Sequence, residues 1–406
     1  MGASVPTVGN SGAAVLYLCQ KNPWTLSGGA LIRNAWIIRA LAQRYAVDLV
    51  TADDETLPPR AFAALCRSIR QFPRPMGRVA KISRGLSALR PGAALLTSGT
   101  VTRECCDYVH GVLESKTFAA VMFDLQMLDA LPDRVEHLIY HAHNCEYRLF
   151  RRRADIEPVS LRLLLTFDAE RLKRLERSII DRARLIVACS EADVADLNDL
   201  TPSAAAKAIV APNGVDVASY ADVRATPSED ATVLITGSFD WRPNLLGAQW
   251  FLERVMPELE RLAGSKRVCV RVAGRMQSHV RTGLEQHRNV VAIANPVAMQ
   301  SELTLATVVA VPVLASSGTR LRLLEAWAAG RPVVATTPGA FGLGYTEGRD
   351  LLVEDDPRFF ARALWRLLSE PETRARLAAA GLERARAYDW PRICSRLAEE
   401  FGSKLG

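Results

Sequence analysis

The chain has 406 residues, of which 49% are hydrophobic and 23% are charged, and its formal net charge is +7. This length and composition are typical of a globular protein with two domains of about 200 residues each. No apolar run reaches the roughly 18 to 20 residues that a membrane span needs, so an integral membrane protein is not expected.

Cysteine usage and the first residues indicate the cellular compartment. The eight cysteines show no metal-ligand spacing, and several lie inside apolar runs, as buried reduced thiols do. The chain begins without a basic region followed by an apolar core, so we expect no signal peptide. The sequence therefore predicts a cytoplasmic protein.

Positive charge is concentrated in the basic stretch 60–103, which contains no acid. Its nine basic residues are Arg60, Arg67, Arg70, Arg74, Arg78, Lys81, Arg84, Arg90 and Arg103. Such a stretch suits the inner face of an anionic membrane or a phosphate-bearing acceptor, and it equally suits a solvated basic face. Few aromatic residues interleave with the arginines, so nucleic acid is not expected as a partner.

The first predicted strand, 15–19, leads through Gly28 and Gly29 into a helix predicted over 30–44. Glycines between a strand and its helix let backbone N–H groups approach a phosphate or a sugar. Gly29 is therefore a candidate for binding a phosphate or a sugar.

The segment HAHNCE follows a buried strand predicted at 138–141. It places His141, His143 and Glu146 at the carboxyl end of that strand, where open α/β sheets bind ligands. A metal site is rejected, because nothing later in the chain supplies convincing further ligands. The histidines either contact a ligand or form hydrogen bonds within a helix-entry loop. We favour His143 over His141 for the ligand, because side chains alternate in direction along the end of a strand.

A second set of loops follows strands in the second half of the chain. A strand at 232–236 precedes a loop that leads to a helix predicted over 248–262, and another strand is predicted at 268–273. The small and basic residues after these strands are candidates for binding an anion. They are Gly237, Ser238, Arg242 and Arg275.

The stretch 315–343 predicts a loop, a helix, a buried strand and a turn at Gly339. Small residues suit the loop and the helix N-cap, and the two bases Arg320 and Arg322 follow them. A helix N-terminus and a guanidinium suit a phosphate, and Glu325, about 1.5 turns beyond Arg320, could accept hydrogen bonds from two ribose hydroxyls. This pattern favours a nucleoside-diphosphate site over an ordinary crossover with surface arginines. The small residues include Ser317, Gly318 and Thr319.

The stretch 315–343 resembles the signature of retaining glycosyltransferases of family 4. That signature usually carries a second glutamate eight residues before Glu325, where this chain has Ser317. The HN-x-E motif at His143 and the PNGVD segment at 212–216 extend the resemblance over nearly the whole chain. It implies the α/β GT-B fold, with two Rossmann-like domains facing across a cleft and a C-terminal helix crossing back to the first.

The resemblance implies an acceptor domain over 1–220, completed by a crossover helix at 389–406, and a nucleotide-sugar donor domain over 231–388. It implies transfer of a hexose from a nucleoside-diphosphate sugar to an acceptor hydroxyl, with retention and without a metal or other cofactor. The acceptor would be a sugar, a lipid-linked molecule or another small molecule, as in polysaccharide biosynthesis.

The resemblance also assigns roles to residues. His143, Arg320 and Glu325 are the implied catalytic residues. Ser238 and Asn244 stand where the family commonly has an arginine and a lysine on the diphosphate. The implied donor-binding residues are Gly29, Gly237, Ser238, Arg242, Arg275, Ser317, Gly318, Thr319 and Gly339. A GT-B sugar-nucleotide epimerase and a non-catalytic nucleotide-sugar-binding protein remain alternatives.

Overall fold

The computed structural model describes residues 12–26, 28–75, 94, 97–223, 231–315 and 320–405. The chain divides into two compact units. Unit 1 comprises Met1–Pro212 and Ile393–Gly406, and unit 2 comprises Asn213–Arg392. The predicted loop residues Ser317, Gly318 and Thr319 lie outside the described residues.

Unit 1 contains a parallel sheet of seven described strands in the order β3-β2-β1-β4-β5-β6-β7. Most of its strands are apolar and buried on both faces, as strands covered by helices on both sides usually are. The sequence analysis missed β3, because its polar sequence SIRQ lacks an apolar run. The strands are β1 (Ala14–Cys19), β2 (Ala46–Thr51), β3 (Ser68–Gln71), β4 (Ala120–Asp124), β5 (Leu138–His141), β6 (Leu185–Ala188) and β7 (Ala208–Val210).

The helices of unit 1 connect these strands. The first of them ends at Leu41, before the predicted residue 44. The charged sequence FDAERLKRLERSIIDR predicts a helix over 167–182, and the helix in the structure begins earlier, at Val159. The apolar residues in that added part are exposed, so they form no buried stripe in the sequence. The helices are α1 (Gly29–Leu41), α2 (Arg60–Ala63), α3 (Arg103–Ser115), α4 (Glu146–Ala154), α5 (Val159–Arg182), α6 (Glu191–Asn198) and α7 (Ala204–Lys207).

Unit 2 contains a parallel sheet of six described strands in the order β10-β9-β8-β11-β12-β13. Its strands are β8 (Ala231–Ser238), β9 (Val268–Arg275), β10 (Val290–Ala294), β11 (Val308–Val311), β12 (Val333–Ala335) and β13 (Leu352–Val353). Arg275 is therefore the last residue of a strand that extends beyond its predicted end at 273.

The helix predicted over 248–262 begins earlier, at Arg242, and contains a π-helical segment, Phe251–Val255. Arg242 and Asn244 therefore lie in the first turn of a helix, whereas the sequence analysis placed them in a loop. The helices are α8 (Arg242–Trp250), α9 (Met256–Ala263), α10 (Ser278–Leu284), α11 (Met299–Leu305), α12 (Leu321–Ala328), α13 (Thr337–Ala340), α14 (Pro357–Ser369), α15 (Pro371–Ala387) and α16 (Trp390–Leu405).

The boundary between the units lies earlier than the predicted residue 220. The backbone N–H of Val215 donates to Tyr388 O at 2.9 Å, and Trp390 N donates to Val215 O at 3.1 Å. Tyr220 packs in a hydrophobic cluster of unit 2. These contacts place the segment after Pro212 in unit 2.

The last helix, α16, begins in unit 2 and belongs to unit 1 from Ile393 onward. Within unit 1, Cys394 Sγ donates to Trp36 O at 3.3 Å and Lys404 Nζ donates to Ala208 O at 2.9 Å. The C-terminal segment therefore returns to the first unit, as predicted. Among the helices in the described residues, none combines the length and the apolar character needed to cross a bilayer.

Both sheets reverse their winding direction next to their first strand. In unit 1 the reversal lies between β1 and β4, and in unit 2 it lies between β8 and β11. Connections leave such a pair of strands in opposite directions, which opens a crevice at the carboxyl ends where doubly wound sheets bind ligands. The candidate site residues are therefore sought at these two edges.

Candidate functional site

Two strand ends of unit 1 bring an aspartate and two histidines together. Asp124 ends β4 and pairs in register with His141, which ends β5. His141 Nδ1 lies 3.3 Å from Asp124 Oδ1, and His143 Nε2 lies 3.1 Å from the same oxygen. Asp124 had a signal that the sequence analysis did not use, because it directly follows a buried apolar run.

Arg33, on α1, determines the hydrogen bonding of His141. Its Nε donates to His141 Nε2 at 2.8 Å. Since Nε2 accepts this bond, the neutral ring carries its proton on Nδ1, which lies 2.7 Å from the Tyr17 hydroxyl. Burial is the main cause that lowers the pKa of His141, to about 3, and the neighbouring His143 is the second cause. The ring is therefore neutral at physiological pH. His141 is thus fully engaged inside the protein.

The hydrogen-bond network continues to Asp124 by a second route. The Tyr17 hydroxyl donates to Asn34 Oδ1 at 3.2 Å, and Asn34 Nδ2 donates to Asp124 Oδ2 at 2.7 Å. Burial alone would raise the pKa of Asp124, but His143 and the two histidine hydrogen bonds outweigh burial and hold it well below its usual range. Asp124 is therefore an anion whose two oxygens accept defined hydrogen bonds.

His143 is the accessible member of this group, with a side chain that is 15% exposed, whereas His141 is fully buried. The carboxylate of Asp124 holds the proton of His143 on Nε2. Nδ1 of a neutral ring then carries a lone pair that can accept a hydrogen bond from a ligand hydroxyl. This geometry is the one expected of a residue that orients a substrate, as the sequence analysis assigns to His143.

The loop that carries His143 is held by a carboxylate from α5. Glu176 accepts hydrogen bonds from the backbone N–H groups of Glu146 at 2.9 Å and Tyr147 at 2.8 Å, at the start of α4. Burial raises the pKa of Glu176 to about 8. Glu146 is itself buried and accepts from Asn144 Nδ2 at 3.1 Å.

Asp124, His141 and His143 also form a group that could hold a metal ion, since their potential ligand atoms lie within 4.8 Å of one another. The third group is an upstream aspartate, whereas the sequence analysis searched only later in the chain. Nε2 of His141 accepts from Arg33, and its Nδ1 carries the proton. The hydrogen bonding therefore leaves His141 no lone pair for an ion, and the residues fit a metal poorly.

Gly29 begins α1 directly after Gly28, which is the N-cap residue in an extended conformation. The strand before α1 is β1, which pairs in parallel with β4. Since β4 ends in Asp124, the start of α1 and Asp124 follow neighbouring strand ends. Gly29 thus lies at the same edge of the sheet as the histidines.

In unit 2, α12 is held by its apolar face. Leu323, Leu324 and Trp327 are fully buried, and Trp327 Nε1 donates to Asp350 O at 3.0 Å. Arg320 is the N-cap residue, whereas the small residues were predicted to cap the helix and Arg320 to lie one turn inside it.

Glu325 lies on α12 and accepts a hydrogen bond from the hydroxyl of Tyr220. Burial raises the pKa of Glu325, while Tyr220 and the nearby Arg322 oppose that rise. Tyr220 belongs to the short 3-10 helix Val217–Tyr220, and sequence reasoning gave no signal for it. A partly buried carboxylate with a defined hydroxyl partner is well placed to accept further hydroxyl hydrogen bonds.

Arg322 reaches from α12 to the end of β8. Its Nη2 donates to Asn244 Oδ1 at 2.8 Å, and its Nη1 would lie 3.0 Å from a Cβ atom built on Gly237. Burial, followed by the neighbouring Arg320, lowers the pKa of Arg322 to about 9. The sequence predicts the phosphate role for Arg320, and the structure shows that Arg322 also reaches a strand end.

The ends of β8 and β9 carry the other candidates of unit 2. Ser238 pairs in register with Arg275, and Arg275 Nε lies 3.0 Å from Asp240 Oδ2. Ser238 Oγ is buried, and no residue in the described ranges gives it a hydrogen bond. Asn244 Nδ2 donates to Ser238 O at 2.8 Å, which attaches the start of α8 to the strand end. Arg242, one turn away, is exposed.

Gly339 lies inside the short helix α13, where the sequence analysis expected a turn. A Cβ atom at this position would lie 2.4 Å from Val311 O, so only glycine permits this approach to the end of β11. Thr336 Oγ1 accepts from Gly339 N at 3.1 Å and caps the helix. The small residue therefore brings backbone close to the crevice between β8 and β11.

The described cations of the basic stretch 60–103 are partly neutralised by acids from outside it. Arg67 pairs with Asp48 at 2.5 Å, and Arg74 pairs with Asp53 at 2.9 Å. The prediction that this stretch contacts an anionic membrane stays a prediction, as does cytoplasmic localisation. Four of its basic residues lie outside the described residues: Arg78, Lys81, Arg84 and Arg90.

Comparison with curated proteins gives relatives that this chain matches in part. It is 33% identical over 247 residues to D-inositol 3-phosphate glycosyltransferase of Kineococcus radiotolerans, covering 53% of this chain and 56% of that protein. It is 30% identical over 212 residues to phosphatidyl-myo-inositol mannosyltransferase of Mycolicibacterium smegmatis, covering 49% and 53%. The matches thus span about half the length of these relatives.

Solved structures match the fold over almost the whole chain. Sucrose-phosphate synthase from Thermosynechococcus elongatus superposes with a TM-score of 0.69 at 16% identity, covering 96% of this chain and 98% of that one. Anabaena HepE in complex with UDP and glucose superposes with a TM-score of 0.63 at 16% identity, covering 96% and 100%. At this identity the likeness establishes the fold alone.

Two family models match consecutive parts of the chain. Residues 27–219 match the model described as Glycosyltransferase Family 4, and residues 230–370 match the model described as Glycosyl transferases group 1. The first match contains His143, and the second contains Arg320 and Glu325. Together the two matches support a glycosyltransferase of family 4, and the two parallel α/β units have the GT-B fold.

Proposed function

We propose that the protein transfers a sugar from a nucleoside-diphosphate sugar to an acceptor hydroxyl with retention of anomeric configuration. The observation that carries this proposal is helix α12 of unit 2, which begins at Arg320, carries the partly buried carboxylate of Glu325 and directs Arg322 to the end of β8. Retention and independence from metals follow the family resemblance.

The nucleotide half of the donor would bind to unit 2. Glu325 would accept hydrogen bonds from the two ribose hydroxyls, and Arg320 would face the diphosphate together with N–H groups of the preceding loop. Arg275 is a weaker candidate for the diphosphate than Arg320, because Asp240 already neutralises its charge. Positive groups fixed at the leaving phosphate stabilise its developing charge, and such groups contribute several kcal/mol in enzymes.

His143 and Gly29 of unit 1 would serve the sugar. The lone pair on Nδ1 of a neutral His143 ring can accept a hydrogen bond from a sugar hydroxyl, and Asp124 keeps the ring in the orientation and tautomer that this requires. An epimerase would need several acids near His143. Glu146 is buried and already hydrogen-bonded to Asn144, so it gives the epimerase alternative little support.

The relatives suggest which substrates to examine first. One structural neighbour was solved with UDP-glucose, and the names of two relatives specify acceptors built on phosphorylated or lipid-linked inositol. We therefore propose a UDP-sugar or another nucleotide hexose as the donor, with a sugar, a lipid-linked molecule or a small phosphorylated polyol as the acceptor.

A thermal-shift screen against UDP-, GDP-, ADP- and TDP-hexoses, followed by assays with the donor that binds, tests this function. We expect slow donor hydrolysis without an acceptor, and with an acceptor a glycoside that NMR shows to have the donor's anomeric configuration. Binding without hydrolysis or transfer would support the binding protein instead, and an epimerised free donor would support the epimerase. If none of the donors binds, the proposal is wrong.

A further inference from the structure

Arg322 occupies a position that the assignment of Arg320 to the diphosphate leaves unexplained. Its side chain leaves α12 and lies against Gly237, at the carboxyl end of the first strand of the sheet. Among the residues that the structure describes, Asn244 Oδ1 is the one acceptor that meets this guanidinium. A guanidinium has five N–H donors, so several can still bind another group.

Polar atoms around Arg322 indicate what that group is. Ser238 Oγ, in the residue after Gly237, is buried and has no hydrogen-bond partner in the described part of the chain. A buried hydroxyl and a guanidinium at one strand end are both donors to an acceptor oxygen. The site therefore offers donors to a ligand that has several acceptor atoms.

The charges at this end of α12 favour an anion. Burial and the nearby Arg320 both disfavour the charged form of Arg322, and Glu325 is the carboxylate that opposes them. Glu325 is already hydrogen-bonded by Tyr220. Two like charges in a poorly solvated place are stabilised when an anion joins them, because Coulomb interactions strengthen where water is excluded.

We propose that Arg322, oriented by Asn244 and assisted by Ser238 Oγ, is a direct ligand of the donor diphosphate. This inference rests on the proposed function and extends it to a residue that enters the crevice from α12. Arg322 donates to the non-bridging phosphate oxygens, and Asn244 keeps the guanidinium plane turned toward them by accepting from Nη2. Positive charge then faces the diphosphate from two places, from Arg322 at the strand end beside Gly237 and from Arg320 at the start of α12.

A purely structural role, in which Arg322 ties α12 to α8, predicts different behaviour. Loss of such a tie would weaken the binding of every ligand or destabilise unit 2, independently of phosphate. If Arg322 contacts the diphosphate directly, its loss would weaken the binding of nucleoside diphosphates and leave the binding of the phosphate-free nucleoside unchanged. The two roles are separated by comparing the affinity for UDP with that for uridine, and the affinity for GDP with that for guanosine. Titration of inorganic pyrophosphate against a buffer blank measures the binding of the phosphates alone.

Calorimetry of the full chain is the test, with wild type and Arg322→Gln as the main pair. We expect Arg322→Gln to lower affinity for the bound diphosphate at least tenfold, about 1.4 kcal/mol, with unchanged affinity for its nucleoside. Arg331→Gln is the matched control, because Arg331 is also buried in unit 2 but donates to Leu303 O at 2.7 Å, a main-chain group outside this cluster. It should change stability without changing the ratio of diphosphate to nucleoside affinity.

A double variant that moves the positive charge from position 322 to position 244 gives a more demanding test. Asn244 Oδ1 lies 2.8 Å from Nη2, so a lysine at 244 places its ammonium in the space that the guanidinium leaves. We expect Arg322→Gln combined with Asn244→Lys to recover most of the lost diphosphate affinity. Failure of the double variant to recover affinity while it remains folded would overturn the charge role.

The inference is also overturned if Arg322→Gln binds UDP or GDP within twofold of wild type, or loses nucleoside and diphosphate equally. In both cases the wild type still binds nucleotide, so the proposed function survives. Wild-type protein that binds no diphosphate at all contradicts the proposed function together with this inference.

Discussion

The two crevices of this protein contain buried polar groups that are arranged in opposite ways. In unit 1 the network of Arg33, His141, Tyr17, Asn34 and Asp124 pairs its donors with acceptors of the protein itself. In unit 2 the guanidinium of Arg322 meets one acceptor among the described residues, Asn244 Oδ1, and Ser238 Oγ meets none. A satisfied network holds one side chain still, whereas an unsatisfied one is suited to receive a ligand.

The largest effect is expected from breaking the network of unit 1 at its buried cation. Arg33 donates to His141 Nε2 and to the carbonyl oxygens of Ala188 and Ala211, at the ends of β6 and β7. Arg33→Met should lower the free energy of unfolding by about 3 to 5 kcal/mol, because it leaves two of these buried acceptors, His141 Nε2 and Ala211 O, without their donor. Urea denaturation measures this, with the exposed Arg174→Met as the control. A loss below about 1 kcal/mol would mean that the network is not structural.

A smaller effect on stability, together with a loss of activity, is expected at the accessible end of the same network. His143→Ala should reduce transfer about 100-fold, because the substrate loses a hydrogen-bond partner that orients it, and should lower the free energy of unfolding by about 1 to 3 kcal/mol, because the buried Asp124 Oδ1 loses a hydrogen bond. Steady-state kinetics and thermal unfolding check both parts, with the exposed His279→Ala as the matched control. If His143→Ala turns over substrate as fast as the wild type, His143 does not contact the substrate.

A more gradual effect is a pH dependence of stability from Glu176, which holds the loop of His143. Burial raises its pKa from an ordinary 4.5 to about 8, so between these pH values the folded protein retains a proton that the unfolded chain has lost. Stability from this group therefore falls as pH rises through that window, by at most about 1.4 kcal/mol per pH unit, and becomes constant above it.

Thermal unfolding of wild type and Glu176→Gln between about pH 5 and about pH 9 measures this difference. The stability of the wild type should fall relative to that of Glu176→Gln as pH rises, because only the wild type loses stability from this group. Glu170→Gln, on the same helix, is the control. Parallel curves for wild type and Glu176→Gln would contradict the assignment.

Most strands could be predicted because they are apolar runs that are buried on both faces of parallel sheets. The run FAAVMF and the β-branched residues of 332–336 became β4 and β12 with small shifts at their ends. The polar strand β3 and the early start of α5 could not be predicted, because exposed residues carry no periodic signal. The sequence Ser190-Glu191-Ala192-Asp193 predicts a capping box at the start of α6, and Ser190 Oγ does cap this helix by accepting from Asp193 N at 3.0 Å.

The partners of the site residues could not be predicted from the sequence. Arg33 and His141 are separated by 108 positions, and Tyr220 meets Glu325 from a different element of unit 2. Such contacts depend on how the sheets bring strand ends together. Arg322 was visible as a charge, but its direction follows from the position at which α12 begins, and Arg320 proved to be the N-cap. A shift of a few residues in a helix start turns each side chain to another face.

The central claim is that unit 2 binds a nucleoside diphosphate through α12, and calorimetry of Glu325→Gln tests it most directly. Wild-type protein is titrated with UDP and GDP, and the variant is titrated with whichever binds. We predict at least a tenfold loss of affinity in the variant, about 1.4 kcal/mol, because an amide replaces the carboxylate acceptor of the ribose hydroxyls. An unchanged dissociation constant for the folded variant would contradict the account.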